Sequence, residues 1–146
     1  DKKETVTQED LPYIISDVLR SKSIEEYITI LNFSLSTANE LKPVASLKIR
    51  IGEEVYEETS NGDGQYDAFM KALRKIYVRL GKPLPALLDY SVSIPPGGKT
   101  DALVQTVITW RLKKEFKTRG LDSDQTVAAI KATMKMVNII ENNNAK

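Results

Sequence analysis

Two short polar turns carry the residues best suited to chemistry: Gly62-Asp63-Gly64-Gln65 and Gly120-Leu121-Asp122-Ser123-Asp124-Gln125. Each precedes a run with helical spacing. Glycine lets a backbone come close to a ligand, and the N–H groups at a helix start attract an anion. An Asp beside them can take an ammonium. Two such starts facing small residues would hold a zwitterionic amino acid, with an apolar pocket reading its side chain. The plainer reading is that each turn only caps its helix.

Other chemistry is excluded by composition. The 146 residues contain no His and no Cys. A Ser–His–Asp triad, a Cys nucleophile, imidazole catalysis, a disulfide framework and a His/Cys zinc site are therefore ruled out. The absence of Cys fits a reducing cytoplasm. With 21 Lys+Arg against 20 Asp+Glu the net charge is +1, and the basic stripe expected of a nucleic-acid partner is missing. No run approaches the roughly 18 apolar residues of a membrane span.

Three lesser motifs fail on spacing. Gly98-Lys99-Thr100 resembles a phosphate loop, but Ser93 stands where that loop needs its first Gly. The run from Asn61 to Asp67 has Tyr66 where a calcium loop needs Gly, and Ala72 where it needs the closing Glu. Asp122 and Asp124 would have to ligate Mg²⁺ if the chain were a small metal-dependent enzyme, yet two carboxylates at a helix start more often serve the positive dipole end.

The elements that position these turns follow from periodicity. Thr7 to Leu19 has helical spacing, with Pro12 near its first turn. Strands are expected at Ile28 to Ser36, Val44 to Ile51 and Glu54 to Thr59, with Gly52-Glu53 as a two-residue hairpin turn. A helix follows from about Asp63 to Leu80, closed by Gly81 and Pro83. The order then recurs: strands at Tyr90 to Ile94, Ala102 to Leu112 and Glu115 to Thr118, a helix from about Asp122 to Ile140, and a polar tail over 142–146.

Displacing the sequence by 60 residues lays Gln65 on Gln125, Ala68 on Ala128, Lys71 on Lys131, Ala72 on Ala132 and Lys75 on Lys135. The register needs no gap from Val44/Val104 to the helix ends. The expected fold is α+β: two duplicated βββα units with pseudo-twofold symmetry, preceded by the Thr7–Leu19 helix. In the same register Glu53, Glu54 and Glu57 fall on Lys113, Lys114 and Lys117. Matching hairpin tips thus carry opposite charge, either as solvated ends or as tips that meet and set a pairing register.

Taken in order, Gly62-Asp63-Gly64-Gln65-Tyr66-Asp67-Ala68, Asp101-Ala102-Leu103-Val104 and Arg119-Gly120-Leu121-Asp122-Ser123-Asp124-Gln125 resemble a known family. It is the C-terminal regulatory domain of the 2-isopropylmalate, citramalate and homocitrate synthases. The resemblance implies an allosteric, dimerising domain over 26–141, with 1–25 the end of a linker subdomain and 142–146 a disordered tail. It implies a homodimer that binds the end-product amino acid and is joined to a catalytic barrel of the same parent chain. Carried over by motif, Tyr66 and Asp67 would line the effector pocket at the first helix start. Val104 would touch the effector side chain with Ala102 keeping room beside it, and Ser123 and Gln125 would close the pocket. Many relatives have Gly-Pro-Val-Asp-Ala where this chain has Gly64-Gln65-Tyr66-Asp67-Ala68, so Tyr66 alters the pocket volume.

The resemblance further implies that the parent is an acyltransferase whose divalent metal is held partly by His, in a barrel of about 250 residues. This chain lacks His and the room for a barrel, so no catalytic residue, metal site or cofactor is expected in it. The implied function is leucine binding for feedback inhibition in leucine biosynthesis, in a parent that condenses acetyl-CoA with 2-oxoisovalerate. The alternatives are an isoleucine-binding domain of citramalate synthase, or a purely structural dimerisation module.

Overall fold

A computed structural model describes residues 27–94 and 103–145. The Thr7–Leu19 helix, the Gly98-Lys99-Thr100 loop and Ala102 lie outside these residues. The chain divides into two compact units, one ending at Leu84 and the other beginning at Pro85.

The first unit has β1 (Ile28–Ala38), β2 (Leu41–Ile51), β3 (Glu54–Asn61) and α1 (Gln65–Leu80). The strands form one antiparallel sheet in the order β1-β2-β3. Alternation along β2 sends Ala45, Leu47 and Ile49 into the core, while Lys48 and Arg50 stay exposed. Helix α1 covers that face with Ala68, Phe69, Ala72, Leu73 and Ile76, all fully buried. Gly52 turns the β2–β3 hairpin at φ 61, the backbone a type II′ turn takes at its first central position. At the other end of α1, Gly81 is left-handed at φ 67, and the Lys82 N–H reaches back to the Tyr77 carbonyl at 3.1 Å. That is the Schellman stop expected from a glycine at this point.

The second unit repeats the order with β4 (Ala86–Ser93), β5 (Val104–Arg111), β6 (Glu115–Asp122) and α2 (Gln125–Ala145). Here Ile108 and Trp110 of β5 and Ala128, Ala129, Ala132, Met136 and Val137 of α2 make the core. Both units are βββα, so the α+β duplication stands.

The ungapped register does not. The helix starts Gln65 and Gln125 superpose at 60 residues, and so do the faces of the third strands, where Tyr56 opposite Ile49 matches Phe116 opposite Trp110; the buried faces of β2 and β5 require 61, with Leu47 on Ile108 and Ile49 on Trp110. At 60, Leu47 would fall on Val107, which points to the other face. The cause lies in the hairpins. Two residues separate Ile51 from its partner Glu54, whereas Leu112, Lys113 and Lys114 separate Arg111 from Glu115. A one-residue change at a hairpin tip reverses every side chain on one of its strands.

The second helix also outlasts its expectation. Residues 142–145, read from sequence as part of a polar tail, continue α2. Asn138 donates to the Met134 carbonyl at 3.0 Å and Asn142 to the Asn138 carbonyl at 2.7 Å, so the polar side chains are spent on the helix itself.

Candidate functional site

The two helix starts are built differently. At α1 the N-cap is Gly64, which brings no side-chain hydrogen bond. Asp67, in the first turn, reaches back instead: its Oδ2 accepts the Asp63 N–H at 2.8 Å and pairs with Lys71 Nζ at 3.2 Å. Both contacts use Oδ2, so neither engages Oδ1. Tyr66 is half-buried and stacks on Phe69, with ring centroids 6.4 Å apart and planes at 16°. Phe69 in turn meets the edge of Phe33 on β1 at 6.5 Å and 79°. This aromatic run fixes the face that Tyr66 presents at the helix start.

At α2 the cap reaches forward. Asp124 Oδ1 accepts the Val127 N–H at 3.0 Å, the usual N-cap bond. Asp122 Oδ1 accepts the Asp124 N–H at 2.9 Å, and its Oδ2 pairs with Lys131 at 2.9 Å. Both oxygens of Asp122 are therefore occupied. Among the described residues no three His, Cys, Asp or Glu side chains group as a metal site would require. Ser123 and Gln125 are exposed, and Val104 is half-buried at the first position of β5.

Tyr66 and Asp67 thus meet at one start in the first unit, and Val104, Ser123 and Gln125 belong to the second. Sequence reasoning missed the part played by Lys71 and Lys131. Their 60-residue match was visible, and in both units this lysine neutralises a carboxylate at the helix start. Among the described residues, three open grooves are lined by none of Tyr66, Asp67, Val104, Ser123 and Gln125. One, of about 270 Å³, lies over the first sheet between Asn32, Lys48 and Glu57. Another, of about 630 Å³, runs between Glu58 and the cations Lys71, Arg74 and Arg79. The third, of about 350 Å³, lies between Leu112, Phe116 and Ile140.

The electrostatics yield a pH prediction. The Asp63 N–H, then Lys71, hold the Asp67 carboxyl below its ordinary 3.8, against partial desolvation that acts the other way. The Asp124 N–H, then Lys131, do the same for Asp122. A depressed folded pKa contributes stability that is present above the ordinary value and lost as pH falls through the lowered one. Thermal melts between about pH 6 and pH 2 should therefore decline only below about pH 4. Asp67→Asn combined with Asp122→Asn should make that decline shallower. An unchanged slope would show that these carboxylates do not set the acid limb.

A family model described as the LeuA allosteric (dimerisation) domain matches residues 5–141. The 2-isopropylmalate synthase of Heliobacterium modesticaldum is 32% identical over 143 residues, which is 96% of this chain and 26% of that protein. That of Methanocaldococcus jannaschii is 29% identical over 96% of the chain and 26% of the relative. The (R)-citramalate synthase CimA of the same organism is 32% identical over 94% of the chain and 28% of the relative. The chain thus spans about a quarter of the length of the curated relatives it matches. Among the described residues no helix is long and apolar enough to cross a membrane.

Proposed function

Since the chain belongs to the LeuA allosteric (dimerisation) domain family, we propose that it is the regulatory part of a 2-isopropylmalate synthase and binds leucine as a feedback inhibitor. The observation that carries this reading is the duplicated helix start, held against its own sheet in each unit, with a lysine beside a carboxylate at both. In the first unit the proposed contacts are Tyr66, whose ring would border the effector, and Asp67, whose Oδ1 is left by its own bonds to receive an ammonium. In the second unit they are Val104, against the aliphatic side chain, with Ala102, Ser123 and Gln125 around it.

Feedback then follows from linkage. An effector that binds one arrangement of the regulatory dimer better than another shifts the population toward it. The coupling to a catalytic barrel is reciprocal and typically amounts to about 1–3 kcal/mol. The condensation of acetyl-CoA with 2-oxoisovalerate, with its divalent metal, would belong to the other three quarters of such a parent.

Equal identity to a citramalate synthase supports a second reading, with isoleucine as effector and pyruvate as the parent's 2-oxo acid. The two effectors differ in the position of one methyl group, a difference of about 1–3 kcal/mol in a fitted pocket. Calorimetric titration with leucine, isoleucine, valine and lysine separates them. Saturable heat with leucine is the expected result, and a preference for isoleucine moves the parent to citramalate synthase. No saturation by any of the four up to millimolar concentration would leave a dimerisation module only.

A further inference from the structure

The oppositely charged hairpin tips lie outside the proposed effector site, and in the second unit the tip borders a groove. This groove, of about 350 Å³, is lined by Leu112, Phe116 and Ile140, with Lys113 and Lys114 beside them. Both lysines are exposed, and among the described residues neither has an ion-pair partner. The carboxylate next in the chain, Glu115, is taken by Arg111 at 2.9 Å.

The first unit closes the equivalent place. There Arg79 lies over the Tyr56 ring, 5.2 Å from its centroid, and pairs with Glu58 at 3.2 Å. In the 60-residue register Tyr56 matches Phe116, but Arg79 matches Ile139, which is shorter and uncharged. Phe116 is therefore left half-buried beside an open groove. An apolar groove with charges at its margin marks a contact surface.

The β2–β3 tip has the complementary chemistry. It exposes Glu53, Glu54 and Val55, the last at 49%. Among the described residues neither carboxylate has an ion-pair partner, whereas Glu57 stands opposite Lys48 in its own sheet. An aliphatic side chain next to two uncompensated carboxylates thus answers an apolar groove next to two uncompensated ammonium groups. Exposed ion pairs add little affinity, but they set register and discriminate strongly against like charge.

We propose that two copies of this chain associate through these tips, Val55 of one entering the groove of the other, with Glu53 and Glu54 set against Lys113 and Lys114. This rests on the dimer of the reading above and assigns the surfaces it uses. A twofold axis makes the contact twice, since each copy presents one tip of each sign.

The test is sedimentation equilibrium of the 146-residue chain at low salt, with two charge-reversed variants. One carries Lys113→Glu and Lys114→Glu, the other Glu53→Lys and Glu54→Lys. Each alone sets like charge against like at both contacts and should weaken the dimer about tenfold or more. An equimolar mixture restores opposite charge at both contacts and should pair to within about threefold of the unsubstituted dimer. Where a reversed variant fails to fold, Val55→Asp takes its place; it puts a carboxylate into the apolar groove and should weaken the dimer by a similar factor. Undiminished dimerisation of a folded variant overturns the assignment. So does a mixture that pairs no better than its components, because the tips would then not meet across two copies. If the unsubstituted chain stays monomeric up to millimolar concentration, the dimer reading itself has failed and the assignment falls with it.

Discussion

Gly120→Ala should destabilise the domain by about 3 kcal/mol or more, seen as a large drop in the urea midpoint. Gly120 is buried in β6, where strand backbone and helix backbone touch. An added Cβ would sit 2.0 Å from the Ala128 carbonyl oxygen and 2.8 Å from the Ala132 nitrogen. Neither atom is the end of a flexible side chain, so relief requires moving α2 away from its sheet and loosening the contact of Ala128 and Ala132, both fully buried. The first unit makes its close approach two residues later in the aligned register, at Gly62, where a Cβ would lie 2.4 Å from the Ala68 nitrogen. Gly64→Ala is the control. No atom lies within 4 Å of its Cβ position, its φ of −146° is open to any residue, and the loss should stay below about 1 kcal/mol. If Gly120→Ala were as mild as Gly64→Ala, helix and strand would not be locked together at this point.

Thr118→Val is expected to cost about 2–4 kcal/mol, and more than Thr118→Ser. The Thr118 hydroxyl joins two groups that have no other route to water. It accepts the Trp110 indole N–H at 2.9 Å and donates to the Ala132 carbonyl at 2.7 Å, with Trp110 fully buried and Thr118 nearly so. An isosteric methyl keeps the volume but leaves the indole N–H without a partner in a low-dielectric site, where an unpaired group is most costly, while the Ala132 carbonyl keeps its helix bond. Trp110 is the single tryptophan of the chain, so its fluorescence reports both the unfolding midpoint and the polarity at the lost bond. A midpoint equal to that of the unsubstituted chain would show that the three-member link contributes nothing net.

These predictions show where local reading stops. The helix starts, the Gly81 stop and the Gly52-Glu53 turn were legible because each depends on residues within a few positions: a positive φ, a capping carboxylate, an apolar stripe at helical spacing. Tyr66 and Asp67 were placed at a helix start for the same reason. That Asp67 would spend one oxygen on the Asp63 N–H and Lys71 was half legible, since an aspartate four residues before a lysine is a helical pair. The reach back to Asp63 was not, because it follows from Gly64 offering no side-chain cap.

Long-range packing had no comparable signature. The 60-residue match pointed to two units, but it rests on the helices, whose 3.6-residue period tolerates sampling at one offset. A strand has period two, so the single-residue difference between the hairpins inverted the true match of β2 with β5 while leaving the helix register intact. Gly120 was read as part of a turn open to a ligand, whereas it lies in β6 against the backbone of α2. Thr106, whose buried hydroxyl has no hydrogen-bond partner among the described residues, was silent. A glycine in a strand and a threonine in an alternating run are common residue types, and only the approach of α2 makes one indispensable and the other an orphan. The sequence by itself determined what adjacent residues dictate: the order of strands and helices, the capped starts and the repeat. Tertiary structure decided which faces meet and which polar groups are left unpaired, because those depend on atoms brought together from positions far apart in the chain.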